Sequence, residues 1–426
     1  MQNFSEPAFR VKHPGLTMAS LLLGAFVGMF SETSLNIALP KLMIVFHTST
    51  AVLQWLVTGY MLVIGIVLPL SSLIAKWFTT RQIVIFALLD FIIGAAISAL
   101  APNFAVLLAG RMIQGIGTGL ILPLMFTIAM QIFPPKKIGS IMGICALVIM
   151  FAPAIGPTLT GLILAKLSWR WIFWSFEIFL VIALCLAVSA LENIGQPTRP
   201  HIDLLSIVES VLGFSGLVVG ASLSSLDGWG SWPVLGSFAV GILVLIAYVI
   251  RQLKLETPIL NLRVFKVKAF TIGAVLVMLD FGIILSAMYL MPMYLQNGLQ
   301  LAVALTGIVM LLLTTAHSAV AYVIAAHVIL MIGCPLAMSP AQTSALNALR
   351  GPASSDGSTI LNTMQQIVGA LATALATSFL ELGRHAAAGS QAVRFTSGVH
   401  TGLYFTLALA IIALIVSFAL PKQAED

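Results

Sequence analysis

Few residues in this chain can do chemistry, because few ionisable groups stand inside its long apolar runs. They are Glu32, Asp90, Arg111, Glu177 and Asp280, with Glu209 near the end of another run. A charged side chain at membrane depth costs roughly 3 kcal/mol or more unless it is paired or hydrated, so each marks a candidate functional site. Depth separates them. Glu32 lies seven residues before Leu39 at the end of one run, and Arg111 six residues after Ala105 at the start of another. At helical rise both sit about 10 Å below the same surface. A carboxylate beside a guanidinium can change protonation with access or cargo, while the guanidinium stays charged. Equal depth makes Glu32 and Arg111 candidates for a proton-coupling pair wherever their two helices face each other, the alternative being a static ion pair that only locks two helices. Asp90 and Asp280 fall near mid-membrane, as a second proton site or a partner for cationic cargo. Glu177 beside Trp174, Glu209 near an interface and the lone His327 read as structural.

Around the arginine the chain reads GRMIQGIGTG, and one loop later APAIGPTLTG. Gly115 and Gly117 remove side-chain bulk where helices meet, and Gly156, Pro157 and Gly161 predict a bent, closely packed helix able to slide against a neighbour. Seven polar residues, Asn36, Gln54, Tyr60, Gln114, Gln342, Asn362 and Gln365, are candidate cargo contacts, although an intramembrane amide serves equally well between helices. There is no Gly-rich phosphate loop, HExxH, His/Cys ligand set or nucleophile elbow, so no metal, ATP or hydrolytic chemistry is expected. A polytopic enzyme acting on lipid would need a His/Asp or acidic cluster at an interface, and none stands out. No enzyme chemistry and no cofactor are expected.

The elements that must hold these residues are membrane helices. Of 426 residues, 60% are apolar and only 8% charged, and mean hydropathy is +1.08; a soluble globule carries about three times that charged fraction. Runs of about 20 residues each give spans at Thr17–Leu39, Val52–Ile74, Ile83–Ala101, Ala105–Met130, Gly139–Ala165, Trp171–Leu191, Leu204–Ser224, Trp232–Arg251, Phe270–Leu295, Gly357–Leu380 and Thr401–Leu420. The forty mostly apolar residues from Leu301 to Pro340 are too long for one span and too short for two with a loop. Split at Thr314–Ser318, they give a short stub and a full span from Ala319. The total is about twelve full spans and a half, with both termini cytoplasmic.

That orientation puts most of the 20 Lys and Arg on the cytoplasmic side, led by Lys136/Lys137 and the cluster from Arg251 to Lys268, as the positive-inside rule requires. It accounts for the net charge of +6 without a nucleic-acid partner. The seven tryptophans fall near span ends, as in an aromatic belt. Cys145, Cys185 and Cys334 have no ligand-like spacing. No cleavable signal is expected before the first span.

Several motifs in order carry a resemblance: NIALP closing the first span, RMIQGIGTG opening the fourth, APAIGPTLTG in the fifth, SWRWIFW after it, then PAQTSALNAL from Pro340 and NTMQQIVGALATAL from Asn362. Together they resemble the major facilitator superfamily, in its drug:proton antiporter branch with fourteen spans, the EmrB/QacA type with its lincomycin-resistance-like members. The resemblance implies an all-α fold of two rocking bundles with a two-helix insert between them. It divides the chain into an N-terminal bundle at 1–191, a linker and insert at 192–262, and a C-terminal bundle at 263–426. It also implies proton-coupled efflux of amphipathic drugs across a bacterial-type cell membrane. The partners would be a small molecule, protons and the bilayer; oligomeric state is left open.

Two departures stand out. The loop after span two reads SSLIAKWFTTRQ, with Lys76 where the family has an acid and Arg81 keeping the basic end. The second bundle is short by one to two helices, which leaves a transport-deficient variant as an alternative.

Overall fold

The computed structural model describes residues 11–48, 50–194, 203–256, 258–293, 341–349, 352–388 and 390–417, with isolated positions at 9, 197, 198 and 338. Among these, all regular structure is helical. The elements are α1 (Pro14–Phe46), a single turn α2 (Thr50–Leu53), α3 (Trp55–Trp77), α4 (Thr80–Leu100), α5 (Phe104–Ile132), α6 (Pro135–Lys166), α7 (Arg170–Ala190), α8 (Leu204–Asp227) and α9 (Trp232–Lys254). A 3-10 turn at Leu262–Lys266 and α10 (Lys268–Met293) follow. Then come helical residues 341–347, here α11, α12 (Pro352–Ala386) and α13 (Gln391–Ser417). Nine helices among the described residues are long and apolar enough to cross a membrane. The stub and span expected between Leu301 and Pro340 lie outside the described residues.

The chain forms two compact units, Met1–Leu260 and Asn261–Asp426. In the first, α5 is the central helix, packed on α1, α3 and α4, with α6 and α7 against α1 and α7 also against α4. The α8–α9 hairpin belongs to this unit and packs through α8 on α3. In the second, α10, α12 and α13 pack on one another.

Prolines do not end helices here as they do in water. The sequence closes the first span at Pro40, yet α1 continues to Phe46, held at this end by the Lys41 ammonium, which donates to the carbonyls of Leu164 (2.9 Å) and Leu167 (3.3 Å) at the end of α6. Pro69 and Pro123 likewise sit inside α3 and α5. Packed neighbours tolerate the backbone bond that each proline removes. One tryptophan at a span end is buried in the bundle. Trp169 is 2% exposed and meets the rings of Phe46 and Phe173 at 5.6 and 6.2 Å, extending an edge-on aromatic cluster of Phe30, Phe91, Phe173 and Phe176 between α1, α4 and α7.

The hairpin turn needs Gly228, whose φ of 78° lies in the left-handed region. At its base Arg251 donates to both carboxylate oxygens of Asp203, at 2.7 and 2.8 Å. That bidentate bond holds the carboxyl of Asp203, which lies just before its span, well below the usual aspartate range. Buried Gln252 joins Ser206 to the backbone N–H of Ile259, and the Ile259 carbonyl accepts from Ser72 and Lys76 of α3.

Candidate functional site

The site is built on the glycines of α5. A Cβ at Gly115 would lie 2.9 Å from Val63 Cβ, and one at Gly119 2.8 Å from Val67 Cβ, so that pair admits α3. A Cβ at Gly117 would lie 2.5 Å from the Ala87 carbonyl, and Gly110 sits against Gly94 and Ser98, so the other pair admits α4. On α1, Gly28 accepts Thr118 of α5 at similarly close range. Small residues at these spacings let backbones approach closely enough for polar side chains to bridge several helices.

Arg111 occupies the space so made and is 0% exposed. Its Nη1 donates to Ser31 Oγ and to Gln114 Oε1, the latter at 2.8 Å. Its Nη2 donates to the Ser31 carbonyl at 3.3 Å and its Nε to the Leu56 carbonyl at 3.2 Å. The guanidinium carbon lies 4.0 Å from the centre of the Tyr60 ring, close enough for a cation–π contact. The Tyr60 hydroxyl donates to the Gly28 carbonyl at 2.9 Å and pairs with Thr118 Oγ1 at 2.7 Å. Gln114 Nε2 reaches Ser98 of α4 at 3.4 Å. One cation thus ties α1, α3, α4 and α5 together.

Glu32 is 2% exposed, next in the chain to Ser31, and interacts electrostatically with both Arg111 and Tyr60. The residue beyond it, Thr33, meets α6: a Cβ at Gly156 would lie 2.6 Å from Thr33 Oγ1. Gly161 is buried in α6 as well, and the helix runs unbroken through Pro157. Asp90 of α4 accepts the backbone N–H of Gly117 at 2.9 Å, which only a glycine at that position permits. Asn36 is exposed and Gln54 lies in the turn between α2 and α3.

The remaining candidates belong to the second unit. Asp280 is 7% exposed in α10, and Gln342, Asn362 and Gln365 are buried. Asn362 Nδ2 donates to Ser358 in its own helix, and Gln365 Nε2 faces Met338 Sδ at 3.8 Å. No group of three His, Cys, Asp or Glu that could hold a metal occurs among the described residues.

The structure brings Arg111, Gln114, Tyr60 and Glu32 into one place, and Asp90 onto Gly117. Sequence reasoning missed Ser31, Ser98, Thr118 and the Leu56 carbonyl. Ser31 had a weak signal, as the hydroxyl beside the only acid in its span.

Apolar helices long enough to cross a membrane, packed through glycines around a fully buried arginine, define a multi-pass membrane protein. The Major Facilitator Superfamily model matches residues 21–373, and the chain belongs to that family. It is 42% identical to the lincomycin resistance protein LmrB of Bacillus subtilis (strain 168), over 96% of each chain. That match runs over 462 positions, more than this chain has residues, so the relative carries stretches with no counterpart here. It is also 28% identical to the probable multidrug resistance protein EmrY of Escherichia coli (strain K12), over 65% of this chain and 55% of that one. Among solved structures, a POT family transporter in complex with 5-aminolevulinic acid superposes with a TM-score of 0.64 at 15% identity, over 96% of this chain and 97% of that one, a likeness of fold. The protein is a multi-pass protein of the cell membrane and not an enzyme.

Proposed function

We propose that this protein exports amphipathic, cationic or zwitterionic drug-like molecules in exchange for protons, with the proton gradient as its energy source and no cofactor. The observation that carries the reading is the fully buried Arg111, bonded to Ser31, Leu56 and Gln114, with Glu32 in electrostatic reach one residue from Ser31. Arginine keeps its proton, so Glu32 is the group of the pair that changes charge. Protonation weakens its attraction to Arg111 and frees α1 to shift on α5 and, through Thr33 and Gly156, on α6. Asp90 is a second proton carrier in the first unit. Asp280, Gln342, Asn362 and Gln365 supply polar contacts in the second unit, with Asn36 and Gln54 in the first. Names among the relatives support the cargo class: lincomycin resistance and multidrug resistance.

A second reading, a folded but transport-deficient variant, is favoured by the stretches present in LmrB and missing here. Efflux of lincomycin and of a cationic dye from proteoliposomes with an imposed proton gradient separates the two. The expected result is gradient-driven efflux by the parent, abolished in Glu32→Gln and Arg111→Ala. Equal efflux in all three rejects the coupling role of the pair, and no efflux from the parent selects the second reading.

A further inference from the structure

The structure assigns an anionic phospholipid to a surface groove of the first unit, where the start of α4 meets the segment after α7. The groove holds about 500 Å³ and is lined by Arg81, Gln82 and Asn193 at one end and by Ile85, Phe86 and Leu89 along α4. Its polar end, which also includes Thr79, carries one cation and no carboxylate. The capping box of α4 uses the Gln82 Oε1, which accepts the Thr79 N–H at 3.0 Å. Asn193 Oδ1 accepts the Arg81 N–H at 3.3 Å. With both amide oxygens so engaged, Gln82 and Asn193 present their NH₂ groups, and a guanidinium has no acceptor at all. Arg81 is anchored by one nitrogen, Nη2, which donates to the Val188 carbonyl at 2.6 Å, and its other donors remain for a ligand. No carboxylate lines the groove. Glu192, the neighbour of Asn193, accepts the Lys12 N–H.

A rim with one fixed cation, two amide NH₂ groups and no carboxylate fits a phosphodiester and gives an ammonium group no counter-charge. Below the rim the surface turns apolar at once. Ile85 and Leu89 follow Arg81 at i+4 and i+8, Phe86 follows Gln82 at i+4, and Phe86 and Leu89 are 55% and 41% exposed. From Arg81 to Leu89 the helix descends about 12 Å into the bilayer, which gives an acyl chain its track under the headgroup. The side is the one that carries the N-terminus and most basic residues, where anionic lipid is drawn to protein. A free phosphate would use the rim alone and leave the apolar track uncovered.

Native mass spectrometry on the purified full chain tests this with phosphatidylglycerol, phosphatidylethanolamine, phosphatidylcholine and inorganic phosphate. One phosphatidylglycerol per chain is expected, held about tenfold more tightly than either zwitterionic lipid, because all three offer the phosphodiester but the ammonium of the latter two meets the Arg81 cation and no carboxylate. Gln82→Glu keeps the oxygen that the capping box uses but turns an anion toward the phosphate, and Asn193→Asp does the same for the Arg81 N–H. Each should lose the preference with an unchanged melting temperature. Equal affinity for the three lipids, retention of phosphatidylglycerol by both variants, or its displacement by an equal concentration of inorganic phosphate would each overturn the assignment. The measurement is of binding alone, so it stands or falls independently of transport.

Discussion

At the residue scale, Arg111 is expensive to place and correspondingly well supplied. Its donors are taken up by a hydroxyl, an amide and two carbonyls from three helices, and an aromatic face covers it. Breaking such a set by removing one partner costs more than the bond itself, because the charge stays buried. The role of Tyr60 can be divided. Tyr60→Phe loses the bonds to Gly28 and Thr118 but keeps the ring under the guanidinium, so transport should persist with a loss of about 1 kcal/mol in stability. Tyr60→Ala should lose transport as well. Melting curves in detergent, set beside efflux rates, check both. Arg111 and Glu32 were legible from sequence because charge is rare in apolar runs. Ser31 and Ser98 were not, since hydroxyls are common in spans, and the Leu56 carbonyl has no letter at all. Tyr60 and Gln114 were legible as polar residues but not as the wall around Arg111, because one strand of text does not reveal which helix faces which.

At the scale of elements, the glycines set how near helices come. Gly117→Ala places a methyl 2.5 Å from the Ala87 carbonyl and 3.3 Å from the Asp90 carboxylate, so α4 and α5 must part. A cost of about 1–3 kcal/mol is expected, together with loss of the bond between Asp90 and the Gly117 N–H. Gly139→Ala in α6 is the control, since nothing lies within 4 Å; there a gain of about 0.5–1 kcal/mol in helix propensity is expected. Thermal unfolding of the two variants beside the parent checks the sign of each. Span positions were legible because hydropathy marks them, and every described helix overlaps an expected apolar run or, as α11 does, a motif quoted from sequence. Ends were less so. Pro40 reads as a terminator in water, but α1 passes it with Lys41 bound to α6, an interaction between residues more than a hundred positions apart.

At the scale of the molecule, the distribution of basic residues fixes how the chain sits in the bilayer. Lys41 is expected outside and Lys137 inside. In a background with the three native cysteines replaced by serine, Lys41→Cys should react with a membrane-impermeant thiol reagent on intact cells, and Lys137→Cys only after lysis. The reverse pattern would invert the assigned orientation. Family membership was legible because several motifs fall in order across the chain. Residues 301–340 resisted reading because their length suits neither one helix nor two.

The tether between α3 and the hairpin has a consequence in time. Thr58 pairs with Ser222, and Ser72 with the Ile259 carbonyl, partners separated by 164 and 187 residues respectively. On the ribosome, α3 enters the membrane long before either partner exists. The contacts of α3 are therefore not complete when the sixth span is made; they require the hairpin and the Ile259 segment that follows it.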